Sequence, residues 1–83
     1  MSAKISVLFF ASLREDVGVG GMEAHATDTA ELLDVLQATL SRDAMSALRQ
    51  DNVRIAVNQQ LIEGSVELHN GDEVAFLPPV TGG

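Results

Sequence analysis

The sequence predicts an α+β domain in which one main amphipathic helix packs across one face of a sheet. Three stretches carry that prediction. Residues 4–10, KISVLFF, are rich in β-branched and aromatic side chains and read as a strand. Residues 27–41, TDTAELLDVLQATLS, repeat their apolar side chains at helical spacing. Residues 69–77, HNGDEVAFL, place an Asn-Gly turn before a last alternating strand. Two strands, a helix, then two or three strands put the helix on one side of a shared sheet. The pattern leaves the strand order open.

Each element follows from local chemistry. In KISVLFF, Ile5, Val7 and Phe9 share one face and Leu8 and Phe10 the other. Two apolar faces predict a central place in the sheet. ASLREDVGVGG (11–21) is a connection that begins with one helical turn, and MEAHA (22–26) is a short second strand. In the main helix Asp28 caps and Glu31, three residues on, completes a capping box. Leu32, Val35, Leu36 and Leu40 share its apolar face. RDAMSALRQ (42–50) reads as a second short helix, VRIAVN (53–58) as a strand, and QQLIEGS (59–65) as a turn with a short strand. In the last strand Val74 and Phe76 alternate with Ala75 and Leu77. The folded domain is assigned to residues 1–77 and an extended tail to 78–83. There are no internal repeats and no low-complexity tract.

At 83 residues the chain makes one domain, burying roughly 60–65% of its unfolded surface. A hydrophobic fraction of 46% and a mean hydropathy of +0.16 support a core and argue against disorder. Without cysteine there is no disulfide framework, no thiolate metal site and no Cys nucleophile. The opening MSAKISVLFFASLRE lacks the long apolar region and small-residue cleavage site of a signal peptide. No stretch reaches the length of a membrane span. The expected location is the cytoplasm.

Twelve acids against five bases give a net charge of −7. After Arg54 there is no Lys or Arg, while Glu63, Glu67, Asp72 and Glu73 follow. Nucleic-acid phosphates require the opposite sign, and an anionic membrane surface would repel the domain. The acidity suits either a protein partner with a basic docking surface or plain solubility.

Most chemical motifs are missing. GVGG (18–21) lacks a following Lys-Ser/Thr, so a flexible turn is the better reading than a phosphate loop. His25 and His69 show no ligand spacing, and no metal site is predicted. Glu15-Asp16 and Asp72-Glu73 are adjacent carboxylates that read as solvated charge. Ser12, Ser41, Ser46 and Ser65 have no neighbouring His and acid in sequence. The side chains do not suggest an enzyme.

What remains is FLPPVTGG (76–83). Pro78 and Pro79 fix φ and favour an extended, polyproline-like exit from the last strand. Val80 and Thr81 are the last side chains a partner could grip. Gly82 and Gly83 present only backbone, which enters a channel too narrow for a Cβ. The group that arrives at the end of such a channel is the α-carboxylate. ATP can activate it as an acyl-adenylate, and a sulfur nucleophile can convert that to a thiocarboxylate.

VLFFASLRE (7–15), IAVNQQL (55–61) and above all GDEVAFLPPVTGG (71–83) resemble the small-subunit family of molybdopterin synthase, ubiquitin-like sulfur carriers of molybdenum-cofactor biosynthesis. The resemblance covers nearly the whole chain. Where relatives often carry Phe-Phe before the prolines, this chain has Phe76-Leu77. The resemblance implies a β-grasp (ubiquitin-like) fold, with a mixed sheet on the helix and the first and last strands parallel neighbours. It also implies that a ubiquitin-activating-type adenylating enzyme joins Gly83 to AMP and that a sulfur donor system makes the Gly83 thiocarboxylate. The tail would then enter the large subunit of the synthase and give its sulfur to cyclic pyranopterin monophosphate. Two transfers build one dithiolene, so two small and two large subunits are expected. No cofactor is expected to stay bound; ATP is consumed by the activating partner, and the catalytic side chains lie in the large subunit.

Phe10 lies on the face opposite Val7 and Phe9, and Leu77 points away from Val74 and Phe76; by the same resemblance Leu61 joins them in an apolar patch that packs on the large subunit. The alternative is that these three complete the core. Other functions also stay open at this stage. A sister carrier for thiazole synthesis shares the Gly-Gly end but usually lacks the Pro-Pro. A ubiquitin-like modifier would join Gly83 to lysines, and a plain interaction module would leave the tail inert.

Overall fold

The first strand, β1 (Ala3–Phe9), buries every second side chain, sending Ala3, Ile5, Val7 and Phe9 into the core. The computed structural model describes residues 2–78. After β1 come α1 (Ser12–Val17), β2 (Gly21–Ala26), α2 (Thr29–Thr39) and α3 (Arg42–Leu48). The chain closes with β3 (Arg54–Val57), β4 (Gln60–Leu61) and β5 (Glu73–Leu77). The strands form one sheet in the order β2-β1-β5-β3-β4. β1 and β5 pair in parallel, with Val7 opposite Val74 and Phe9 opposite Phe76; the β1–β2, β3–β5 and β3–β4 pairs are antiparallel. A parallel pair needs a long crossover, and every other element lies between β1 and β5. First and last strands side by side and parallel, in a mixed sheet with helices on one face, are the β-grasp arrangement.

All three helices pack on the same face of the sheet. Leu13 of α1, Leu32 and Leu36 of α2, and Met45 and Leu48 of α3 share one buried cluster with Ile5, Val7, Phe9, Val74 and Phe76. The Phe9 and Phe76 rings stack 5.7 Å apart at 25°. Burying each such side chain contributes about 1.5–3 kcal/mol.

The helix ends follow the expected chemistry with one shift. Asp28 Oδ1 accepts from the Glu31 N–H at 2.7 Å. The Glu31 carboxylate reaches back one residue further than a standard capping box, accepting from the Thr27 N–H at 2.7 Å and the Thr27 hydroxyl at 3.1 Å. Leu32 and Leu36 are fully buried, with Val35 and Leu40 half-buried at the margin. Ser41 caps α3 by accepting from the Ala44 N–H at 3.1 Å.

One feature departs from the sequence expectation and two go beyond it. The single turn expected after Ala11 is a six-residue helix, α1. Leu13 anchors its first turn in the core, Val17 packs against the core from its last residue, and Gly18 ends it in the left-handed conformation, its N–H donating to the Arg14 carbonyl at 2.9 Å. The Asn-Gly turn is present, with Gly71 at φ 89° and the Asp72 N–H donating to the His69 carbonyl at 3.0 Å. It makes a corner leading into β5, which pairs with β1 and β3 and not with β4. Residues 65–68, most of which no local pattern assigns to an element, strap the start of α2. The Leu68 N–H donates to the Thr27 carbonyl at 2.9 Å and the Thr29 N–H to the Val66 carbonyl at 3.1 Å, while the buried Thr29 hydroxyl accepts from the Val66 N–H at 3.1 Å.

β1 has a neighbour on each side, as its apolar character predicts, but β5 is the middle strand. Only one face of β1 is covered. On the other, Lys4, Ser6 and Phe10 are exposed and Leu8 is half-buried.

Candidate docking face

The uncovered face of the sheet is set by strand register. Leu8 of β1 lies opposite Ala75 of β5, Ala75 opposite Ala56 of β3, and Ala56 opposite Leu61 of β4. These four residues form one transverse row across four strands, roughly 14 Å from end to end at the usual strand spacing. The next row toward the end of β5 holds Leu77, with Arg54 opposite it. Phe10, one residue beyond β1, joins that row because its N–H donates to the Phe76 carbonyl at 3.2 Å.

Exposure varies sharply along these rows. Leu61 is 63% exposed and Phe10 44%, while Ala56 and Ala75 are each 5% exposed between larger neighbours. Leu8 and Leu77 are half-buried. The result is a flat apolar floor of alanines rimmed by leucines and one phenylalanine. Gly21 lets the sheet edge close on it: a Cβ there would sit 3.0 Å from the Val7 carbonyl oxygen and 3.1 Å from Leu8 Cδ2. At the β3–β4 margin, Val53, Ile55, Leu61, Ile62, Leu77 and Pro78 line a shallow groove of about 720 Å³.

The opposite end of the same face is polar. Lys4 and Glu23 pair at 3.6 Å, both well exposed, and Ser6 lies opposite Glu73. Asn58 and Gln59 turn the chain from β3 into β4 with φ 51° and 70°, and the Asn58 side chain ties this turn to the start of β5. Its amide donates to Asp72 Oδ1 at 2.9 Å, and its side-chain oxygen accepts from the Glu73 N–H at 3.0 Å. The bond from Asn58, aided by the His69 backbone N–H at 2.8 Å, holds the Asp72 carboxyl below its ordinary range. His69 sits over this corner, 3.0 Å from Glu67 and 3.8 Å from Asp72. Among the described residues no three His, Asp or Glu side chains converge as metal ligands would.

Phe10, Leu61 and Leu77 therefore lie on one face, and none belongs to the core cluster. Leu8 and Ala75 share that face, as alternation within their strands predicts, and Ala56 joins them through register alone. The alternation of Ala75 with Val74 was visible in the sequence, but its neighbours across the sheet depend on register. Pro78, half-buried, leaves the sheet at the groove. Pro79, Val80, Thr81, Gly82 and Gly83, the rest of the expected tail, lie outside the described residues. No helix among the described residues is long and apolar enough to cross a membrane.

Residues 7–83 match the ThiS family. The chain is 46% identical over 80 residues to the molybdopterin synthase sulfur carrier subunit of Escherichia coli (strain K12), covering 95% of this chain and 99% of that one. It superposes with a TM-score of 0.73 on a chain from the complex of subunits 1 and 2 of molybdopterin-converting factor from Helicobacter pylori. That chain is 28% identical, with 96% and 99% of the two chains covered. The small archaeal modifier protein 1 of Methanosarcina acetivorans superposes with a TM-score of 0.84 at 23% identity, over 100% of this chain and 99% of that one. At that identity the likeness is one of fold.

Proposed function

This chain belongs to the ThiS family, and on that premise we propose that it is the sulfur carrier subunit of a molybdopterin synthase. The observation that carries the proposal is the end-to-end match to a relative of that name at 46% identity. Phe10 and Leu61, exposed on the open face, support it, since apolar side chains grouped on a surface mark a protein interface. The partner is a large synthase subunit, as in the two-subunit complex to which the chain superposes, and the working assembly holds two of each.

In this reading the folded domain, residues 1–77, docks and the tail, 78–83, reacts, all in the cytoplasm. An adenylating enzyme binds the domain and ATP. A Gly83 carboxylate oxygen attacks the α-phosphorus of ATP, pyrophosphate leaves, and an acyl-adenylate forms. A sulfur donor of hydrosulfide character then displaces AMP, leaving a thiocarboxylate. In the large subunit the thiocarboxylate sulfur bonds to a carbon of cyclic pyranopterin monophosphate as a carbon–oxygen bond at that carbon breaks and the oxygen leaves as water or with the phosphate; water then cleaves the acyl carbon–sulfur bond, leaving the sulfur on the pterin and restoring the carboxylate. The small subunit supplies no catalytic side chain. Pro78 and Pro79 keep the tail extended, Val80 and Thr81 seat it, and Gly82 and Gly83 pass where a Cβ would not.

The test is a reconstitution with large subunit, adenylating enzyme, ATP, a sulfide source and the pterin substrate. The intact chain forms the dithiolene product. Deleting Gly83 abolishes it while leaving circular dichroism and melting unchanged, because the core cluster is built from residues between Ala3 and Phe76. Product formation at the normal rate by the shortened chain would exclude the carrier role. Lysine conjugates in place of product would identify a modifier, and sulfur delivery only to a thiazole synthase would identify the sister carrier.

A further inference from the structure

The open face carries charge at both ends and none between. Arg54, the last base in the sequence, stands opposite Leu77 in the row where the chain leaves the sheet. Glu73 lies on the same side of β5, four residues before Leu77 and about 13 Å from it at the usual rise. Between the two rows lies the floor of Ala75 and Ala56. At that separation the two charges do not pair, and salt at physiological strength screens them from each other.

Neither charge finds a counter-ion within the domain. Arg54 is exposed and makes no ion pair among the described residues, although Asp51 lines the same groove and Glu63 follows closely on β4. Glu73 is half-buried and is likewise unpaired among the described residues. Its neighbour on β1 is the neutral Ser6. On the far side of Ser6, Glu23 already holds Lys4 at 3.6 Å. The face is polarised along its strands, positive where β5 ends and negative where it begins.

A partner seated on Leu77 and Leu61 also takes water from the guanidinium beside them. An ion stripped of water and left unpaired opposes binding strongly, whereas one that meets the opposite charge aligns the partner. We propose that the large subunit presents a carboxylate to Arg54 and a Lys or Arg to Glu73, and that this polarity fixes its orientation on the face. The inference rests on the reading of the open face as the surface that meets the large subunit. The alanine floor is flat and has no relief of its own to set a direction. A partner turned end for end would set like charges together at both ends, which disfavours that arrangement. The tail then leaves toward one side of the partner.

Calorimetric titration of purified large subunit into the intact chain, over a salt series, compares the wild type with Arg54→Gln, Arg54→Lys, Arg54→Glu, Glu73→Gln and Leu61→Ala. Arg54→Gln is expected to weaken binding about tenfold and Arg54→Glu about a hundredfold, with Arg54→Lys within about threefold of the wild type. Glu73→Gln is expected to weaken it about threefold. Wild-type affinity should fall as salt rises, and less steeply for Arg54→Gln. If Arg54→Glu binds as the wild type does while Leu61→Ala is weakened, the charge inference is overturned and the docking reading stands. If Leu61→Ala also binds as the wild type does, the docking reading falls and this inference with it. A loss for Arg54→Lys equal to that for Arg54→Gln would place the effect in packing instead of charge, and would overturn the inference as well.

Discussion

Val7, Phe9, Val74 and Phe76 occupy one face of β1 and β5, and Leu8, Phe10, Ala75 and Leu77 occupy the other. The first four are large and essentially solvent-free beneath the helices. The second four grade from a buried alanine floor to a phenylalanine 44% exposed at the rim. Both sets are apolar, so hydrophobicity does not distinguish them. Volume and cover do. Under the helices, side chains of full size interlock at the density of protein interiors. On the open face, Ala56 and Ala75 keep the centre flat, and the bulk moves outward to Leu61, Leu77 and Phe10. A surface of that shape gains little from folding and much from a partner that covers it.

The sharpest way to break this contrast is to truncate one residue on each side. Phe76→Ala removes a fully buried ring and is expected to cost about 3–5 kcal/mol of stability. That is a large share of the roughly 5–15 kcal/mol typical of a domain, and the urea midpoint reports it. Leu61→Ala is expected to cost less than about 1 kcal/mol in folding, as exposed positions do. Its effect should appear in calorimetric titration of the large subunit, as an affinity loss of about tenfold. If Leu61→Ala unfolds the domain and leaves the affinity of the folded fraction intact, Leu61 belongs to the core and the contrast fails.

The smallest expected effect sharpens the polar end of the face. The Asp72 carboxyl is stabilised in the folded state by the Asn58 amide and the His69 N–H, so its folded pKa lies below its unfolded value of about 3.9. Its contribution is complete above the unfolded pKa and is lost as pH falls through the folded pKa, where the unfolded chain takes up the proton first. Asp72→Asn is therefore expected to be modestly less stable than the wild type at pH 7, with the gap narrowing below about pH 4. Denaturant melts at several pH values measure this. A gap that widens on acidification would reverse the assigned shift.

How much was legible in advance depended on how local each cause was. The burial of Ile5, Val7 and Phe9, the cap at Asp28 and the face of Leu32 and Leu36 all follow from spacing within one segment, and each is found in the fold. The length of α1 was not legible, because Leu13 is held by packing against distant elements. Nor was the strap at 65–68, whose hydrogen bonds reach back to Thr27 and Thr29. At the docking face, Phe10 and Leu77 could be set apart from the core by alternation, while Leu61 rested on resemblance alone. That Leu8, Ala75 and Ala56 lie side by side was not legible, because nothing within their own strands marks them as neighbours.

By itself, then, the sequence determined the kinds of element, their order, the inward face of each and the chemistry available at the tail, since periodicity, caps and prolines act over a few residues. Tertiary structure alone decided that β5 inserts between β1 and β3 and that Leu8, Ala75, Ala56 and Leu61 fall in one row. The physical reason is that strand register and helix cover join residues far apart in the chain. A one-residue slip in strand register would have sent the same side chains to the opposite face.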